Sequence, residues 1–282
     1  MRWFTTEDPD EFLPAAGGFL MSRPAENTVL LTVTQTMRAR GAAVFGKATP
    51  LFGWWRTADG TVASAFLHTP PYRVLLARAP TQAVAALADT LAAAGRPLPG
   101  VNADCETADA FAAAWQRRTG ATPLDRQLQR LYRLSELAPP RPAPPGSARL
   151  AGQEDRHLLM TWYEAFVREM GDAPGNLGNA VDDRISYSGF TLWEAGGTPV
   201  SLAGVTRRVA GMIRVGPVYT PPELRGRGYA GAATAAVSQA AIDAGADEVL
   251  LFTDLANPTS NALYQRLGYR PVEDRVLLTF DS

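Results

Sequence analysis

Two stretches near the C-terminus carry residues whose types and spacing suit chemistry. The first runs from Val218 to Ala230 and ends in Arg225, Gly226, Arg227, Gly228, Tyr229 and Ala230. Its pattern is a strand, then a loop, then the start of a helix. A helix N-terminus presents unpaired N–H groups and about half a positive charge. Glycines let successive N–H groups converge on a ligand with no Cβ in the way. A phosphate or diphosphate is the natural guest, and Arg225 and Arg227 add charge and donors. A glycine-rich turn without any ligand is the structural alternative. The second stretch holds Asn257, Asn261 and Tyr264 at i, i+4 and i+7, which is one face of a helix. Leu263 and Leu267 fall on another, core-facing side.

The elements that must hold these residues follow from hydrophobic period. Gly189–Glu194, Val200–Val205 and Met212–Thr220 read as strands, the first two joined by a hairpin at Ala195–Gly197. Gly231–Ala244 reads as an alanine-rich helix closed by Gly245, and Glu248–Thr253 as a buried strand. Asn257–Leu267 reads as a helix followed by Gly268, and Arg275–Phe280 as a last strand. Upstream, Ala148–Ala151 is a short strand. The acids at Gln153–Asp155 precede a helix marked by Leu158, Trp162, Phe166 and Met170.

The front half repeats this pattern more faintly. Phe52–Arg56 and Val62–His68 read as paired strands, and Thr81–Ala94 and Ala108–Arg118 as helices. Three landmarks match between the halves: Thr69 with Thr220, Gly95 with Gly245, and Gly120 with Gly268, at spacings of 151, 150 and 148 residues. So regular a spacing predicts two tandem copies of one fold. Between them lies Ala138–Gly146, in which five of nine residues are proline. It reads as a stiff linker, dividing the chain into 1–137 and 147–282. A proline-rich surface loop within one domain is the alternative.

The spacing of arginine, glycine and alanine from Arg225 to Ala230, with the helix from Asn257 to Tyr269 after it, resembles the GNAT superfamily of acyl-CoA N-acyltransferases. The resemblance spans about 135 residues, from Ser147 to the end. It implies an α/β fold on a mixed sheet and acetyl-CoA or coenzyme A as co-substrate, with direct transfer to an amine acceptor in a ternary complex. The backbone of Val218, Tyr219 and Thr220 is then expected to bind the pantetheine arm, and the amides of Gly226 to Ala230 the diphosphate. Asn257 is expected to bind pantetheine, with Asn261 beside it on the helix face. Tyr264 is expected to protonate the leaving thiolate, a packed structural tyrosine being the alternative. No general base is assigned: Glu164, Glu169 and Asp172 read as solvated helix charges, Asp254 either stands near the expected strand gap or caps the following helix, and a water chain serves equally. Trp162, Tyr163, Phe166 and Tyr187 are candidates to line an acceptor pocket. The front half resembles the same fold without its loop; Tyr72–Ala79 there has no glycine, and Trp115 stands near the place of the tyrosine.

Other chemistries are weaker. Gly226, Gly228 and Gly231 satisfy the spacing of a dinucleotide-binding turn, but only 28 residues follow Asp254, too few for the further strands of such a sheet. A net charge of −1 argues against a general nucleic-acid binder. An aminoacyl-tRNA donor, or a coenzyme A-binding module without turnover, remain the competing readings. The one cysteine, Cys105, permits no internal disulfide, and no metal site is expected from it, His68 or His157. The N-terminus has no secretory signal, no segment is apolar enough to span a membrane, and the expected place is the cytoplasm.

Overall fold

The computed structural model describes residues 1–96, 98–170 and 177–281. Contacts divide the chain into two units at places that differ from the proline run. The first unit is Met1–Leu131 with Asp254–Ala256 and Val272–Ser282; the second is Tyr132–Thr253 with Asn257–Pro271. The expected linker Ala138–Gly146 therefore lies inside the second unit, and most of the last strand belongs to the first.

In the first unit the elements are β1 (Arg2–Thr6), α1 (Pro9–Ser22), α2 (Thr28–Arg40), β2 (Leu51–Arg56), β3 (Val62–His68), β4 (Val74–Leu76), α3 (Thr81–Ala93), β5 (Gly100–Asp104), α4 (Cys105–Thr119) and β6 (Pro123–Leu134). The sequence pattern predicts neither α1 nor α2. Asp8 caps α1 by accepting from the Asp10 amide, and Phe12, Ala16 and Leu20 bury one of its faces. The β-branched residues of α2 favour a strand by propensity; burial of Leu30, Leu31, Thr34 and Met37 along one face goes with the helix instead.

The second unit holds β7 (Ser147–Leu150), α5 (Arg156–Glu169), α6 (Leu177–Ser186), β8 (Phe190–Ala195), β9 (Thr198–Val205), β10 (Met212–Tyr219), α7 (Tyr229–Asp243), β11 (Glu248–Asp254) and α8 (Pro258–Arg266), and β12 (Tyr269–Phe280) follows. The order strand, two helices, three strands, helix, strand, helix, strand thus occurs twice, as the matched landmarks predict. The expected helix Ala108–Arg118 begins earlier, at Cys105, because Asp104 caps it through the Thr107 amide.

The sheet is mixed in each unit. In the first unit the strand order is β1-β2-β3-β4-β5-β12-β6, with β4 and β5 parallel and β12 antiparallel to β5, Val276 opposite Ala103. In the second it is β7-β8-β9-β10-β11, with β10 and β11 parallel and the end of β6 next to β11. Each copy thus has a strand of the other's sequence as the neighbour of its fifth strand. In the first unit, Val74 and Leu76 pack with Val84, Leu87 and Leu91 of α3 and with Phe111 and Trp115 of α4. In the second, Ala233, Val237, Val249, Leu251, Tyr264 and Tyr269 form one apolar cluster; Leu159, Trp162, Phe190, Leu202 and Tyr219 form another. No described helix is long and apolar enough to cross a membrane.

Candidate active site

The site is built where two parallel strands part. β10 and β11 pair from Met212 opposite Glu248 to Val215 opposite Leu251 and no further, although β10 continues to Tyr219. On its other edge β10 stays paired with β9, its register shifting between Val215 and Val218. The bulge turns the end of β10 relative to its start, and an edge of Gly216–Tyr219 is left facing the gap. Ser201 of β9 fixes that end: its hydroxyl donates to the Tyr219 carbonyl at 3.1 Å and lies 2.8 Å from the Thr220 hydroxyl.

The turn that follows is held open by backbone geometry. A short 3-10 turn at Pro222–Leu224 leads to Gly226 and Gly228, both at positive φ, +78° and +82°. L-residues with a Cβ rarely adopt that region, so glycine is required here. Gly228 is the N-cap of α7, which begins at Tyr229, two residues before the expected start. Its carbonyl accepts the first intrahelical bond, from the Ala232 amide at 3.1 Å. A Cβ built on Gly226 meets no atom within 4 Å. Arg225, Gly226, Arg227 and Gly228 are exposed, whereas Tyr229 is buried.

The two arginines of the turn differ. Arg225 reaches back: its Nε donates to the Thr220 carbonyl at 2.9 Å, and its Nη2 contacts both carboxylate oxygens of Glu169, at 2.7 and 2.9 Å. Arg225 also lies 5.7 Å from the centre of the Tyr219 ring. It straps the end of α5 to the end of β10, so Glu169, still about half exposed, is also an ion-pair partner. Arg227 makes a single backbone contact, to the Glu223 carbonyl at 3.2 Å. Sequence spacing cannot separate these roles, because Glu169 is 56 residues away.

Helix α8 bears the polar stripe. Asn257 is its N-cap, accepting from the Ser260 amide at 3.0 Å through Oδ1. Asn261 donates to the Asn257 carbonyl at 2.8 Å and accepts from the Tyr132 hydroxyl at 3.0 Å. Gln265 donates to the same hydroxyl at 3.0 Å. Asn261 therefore fixes the helix, and Tyr132, which the sequence reading missed, orients it. The cap of α8 is Asn257; Asp254 instead closes a turn by accepting from the Ala256 amide at 2.7 Å. Tyr264 is buried at 8% exposure and meets Tyr269 edge-on, ring centres 6.1 Å apart. Burial pushes its phenol up to about 12, so it holds its proton at neutral pH.

On the side of α5 and α6, Trp162 packs against Tyr219, with ring centres 6.1 Å apart, and Tyr163 stands edge-on to Phe190. The Tyr187 hydroxyl donates to the Val205 carbonyl at 2.9 Å. Two arginines absent from the sequence reading join this face. Arg184 lies 5.4 Å from the Tyr163 ring centre, and Arg214 of β10 lies 6.0 Å from that of Phe252. Burial, and then the charge of Arg184, lower the Arg214 guanidinium to about 10. Glu164 is exposed, and Asp172 lies outside the described residues.

Other titratable candidates have different settings. Cys105 is half-buried, and burial raises its thiol, the opposite of an activated nucleophile. Burial, followed by the charge of Arg96, lowers His68 to about 4. Among the described residues no group of three or more His, Cys, Asp or Glu could hold a metal ion.

The corresponding region of the first unit is filled. β4 and β5 pair at Val74–Val101 and Leu75–Asn102. Beyond that point stands Arg275 of β12, 6% exposed. Its Nη2 lies 3.5 Å from the Leu76 carbonyl and 3.3 Å from the Asn102 carbonyl, and its Nε donates to Asn102 Oδ1 at 3.1 Å. Glu273 neutralises it at 3.1 Å. The residues before α3 are Ala77–Pro80; Pro80 has no N–H, and the Ala79 amide donates to the Thr107 hydroxyl at 3.3 Å. Within the glycine-free stretch Tyr72–Ala79, Val74 and Leu76 belong to β4 and pack under α3.

Residues 155–269 match the family model described as the Acetyltransferase (GNAT) family. Comparison with curated proteins gave no match. Among solved structures, the chain is similar to a GNAT-family acetyltransferase from Colwellia psychrerythraea, with 12% identity, all of both chains covered and a TM-score of 0.64. It is similar to a GCN5-related N-acetyltransferase from Sphaerobacter thermophilus at 18% identity, covering 99% of this chain and 95% of that one, TM-score 0.61. It is also similar to a tandem GNAT protein from the clavulanic acid biosynthesis pathway at 14% identity, covering 99% and 98%, TM-score 0.62. At such identities the likeness is one of fold, and it extends over both copies.

Proposed function

We propose that the protein, whose residues 155–269 match the model of the GNAT acetyltransferase family, transfers an acyl group, acetyl by default, from acyl-coenzyme A to an amine. The observation that carries the reading is the conjunction of an open strand gap, a glycine turn with free space at Gly226, and a buried phenol on α8. The residues present fit the donor. The free edge of Val218, Tyr219 and Thr220 suits the amide-bearing pantetheine arm, as one more strand. The amides from Gly226 to Ala230 suit the diphosphate, with Arg227 as the available cation. Asn257 caps α8, Asn261 ties it to Tyr132 and, by family likeness, Asn257 contacts the arm.

The donor supplies the thioester. A backbone N–H on the free edge of β10 polarises its carbonyl as charge develops there. Attack by the neutral amine forms the new C–N bond and releases the thiolate, while the amine loses a proton to solvent. Tyr264 donates a hydrogen bond to the departing sulfur and supplies its proton, and the phenolate takes one back from the solvent that received the amine's. A phenol at about 12 is a weaker acid than a free thiol of about 8.5. The transfer therefore depends on the thiolate remaining buried beside the phenol, where its charge is itself disfavoured. Tyr163, Tyr187, Arg184 and Arg214 border the acceptor on the α5–α6 side. A cytoplasmic place suits the single free cysteine.

The test is a library of amines incubated with acetyl-CoA and the full chain, read by thiol release and product mass. An acetylated product that disappears with Tyr264→Phe supports the proposal. Tight coenzyme A binding with no turnover of any acceptor identifies a binding module instead.

A further inference from the structure

The proline-rich stretch is fastened at both ends within the second unit. The Ser135 amide donates to the Gly268 carbonyl at 3.1 Å and the Ala138 amide to the Leu267 carbonyl at 3.0 Å. At the other end the Trp193 indole donates to the Pro145 carbonyl at 3.0 Å. Between these ties the segment runs over α7 and α8. A Cβ on Gly231 would stand 3.0 Å from Leu263 and 3.5 Å from Pro140, and one on Gly228 would stand 3.7 Å from Pro144. Glycine at 231 is thus what lets the prolines and Leu263 come this close to α7.

The strap borders a half-open cavity of about 520 Å³. Pro139, Pro140 and Pro142 form one wall, Leu263 and Leu267 another, and Gly228 and Gly231 open it to the turn. Arg141 and Arg266 also line it. Both are exposed, and neither has an ion-pair partner among the described residues. An apolar slot with two unneutralised guanidiniums matches a flat aromatic group that carries an anion.

We infer that this cavity holds the adenosine 3′-phosphate end of the donor, with the proline strap as the wall for the base and Arg141 and Arg266 as the phosphate ligands. The inference rests on the reading of the turn given above. A molecule whose diphosphate sits on Gly226–Ala230 and whose arm enters the strand gap still has its nucleoside to place. The cavity adjoining the same turn has the room for it. Proline rings give a rigid apolar face whose conformational freedom is already lost before binding. Ala138–Gly146 is then part of the binding site, which its composition alone reads as a spacer.

The experiment compares dissociation constants of coenzyme A and of dephospho-coenzyme A, the same molecule without the 3′-phosphate, for the full chain. The unmodified protein is expected to prefer coenzyme A by about tenfold. Arg141→Ala with Arg266→Ala removes that preference and leaves the affinity for dephospho-coenzyme A unchanged. Thermal melting confirms that the variant is folded, and the single variants Arg141→Gln and Arg266→Gln each remove part of the preference. The preference also shrinks as salt is raised, because the arginines are exposed. Equal affinities in the unmodified protein, or a preference that survives the double variant, overturn the inference while leaving the donor turn intact. Failure of the unmodified protein to bind either molecule overturns the reading of the turn, and this inference with it.

Discussion

In the second unit β10 and β11 separate after Val215 and Leu251, and a free backbone edge faces the space between them. In the first unit the equivalent strands, β4 and β5, pair at Leu75–Asn102, and the Arg275 guanidinium bridges what lies beyond. The same contrast recurs at the next element. Before α7 there are two glycines at positive φ, while before α3 there is a proline and an amide already bonded to Thr107. It recurs again on the following helix, where buried Tyr264 is matched by Trp115, which stacks on Phe111 and Phe280 in the core. One fold can keep its packing while each polar opening is replaced by a filled one. The difference lies in a few residues at strand ends and helix starts and not in the sheet.

The contrast can be broken at its strongest point first. Gly228→Glu places a side chain and a negative charge where the diphosphate is proposed to sit, at a φ of +82°. Coenzyme A binding should be lost, by more than about a hundredfold, since like charges repel in a partly desolvated site. In the first unit Pro80→Glu, at the matching N-cap position, should leave binding unchanged; titration calorimetry distinguishes the two.

Tyr264→Phe should lower kcat by about 10²–10⁴-fold with little change in donor affinity, because the phenol acts when the thiolate leaves. Single-turnover rates with a working acceptor check this. The pH profile sharpens it. A phenol at about 12 stays protonated through pH 10, so it should cause no fall in kcat between pH 8 and 10. A fall near pH 10 that vanishes in Tyr264→Phe would be evidence against the buried assignment.

Arg275→Met tests the filled side. It leaves Glu273, 10% exposed, with Arg78 as its remaining partner and takes a donor from the Leu76 and Asn102 carbonyls, so it should cost about 1–3 kcal/mol of stability. Urea unfolding measures it, and Arg275→Met with Glu273→Gln should recover part of the loss. Unchanged stability would show that the guanidinium is not what closes the first unit.

A smaller effect is expected from acid. Burial holds His68 near 4 in the folded chain against about 6.5 unfolded, so the unfolded state binds the extra proton between these values. Stability should fall as pH drops from 6.5 to 4, and His68→Leu should flatten that slope in thermal melts. The smallest concerns the strap between α5 and the turn. Arg225 and Glu169 are both about half exposed, so a double-mutant cycle should give a coupling of about 0.2–1 kcal/mol, seen as a few-fold change in donor KM.

Much of the fold was legible because its signals are local. Strand periods, the glycines closing helices and the Arg225–Ala230 turn each lie within a dozen residues, and the repeat showed in three landmark spacings. α1 and α2 were not legible, because β-branched residues mask the helical face of α2 and only burial selects it. The unit boundary was not legible either. Nothing in the residues of Val272–Phe280 says which sheet they complete, and prolines look alike in a linker and in a wall. Of the candidate site, the backbone turn and Tyr264 could be read from motif. Tyr132, Glu169, Arg184 and Arg214 could not, since they meet their partners only through the fold; Tyr132, for instance, lies 129 residues from Asn261.

Of the two like units, only the second is proposed to be open to the donor. Isothermal titration of the full chain with coenzyme A tests it most directly. The expected stoichiometry is near one, abolished by Gly228→Glu and untouched by Arg275→Met with Glu273→Gln. Two equivalent sites, or a single site that survives Gly228→Glu, would contradict it.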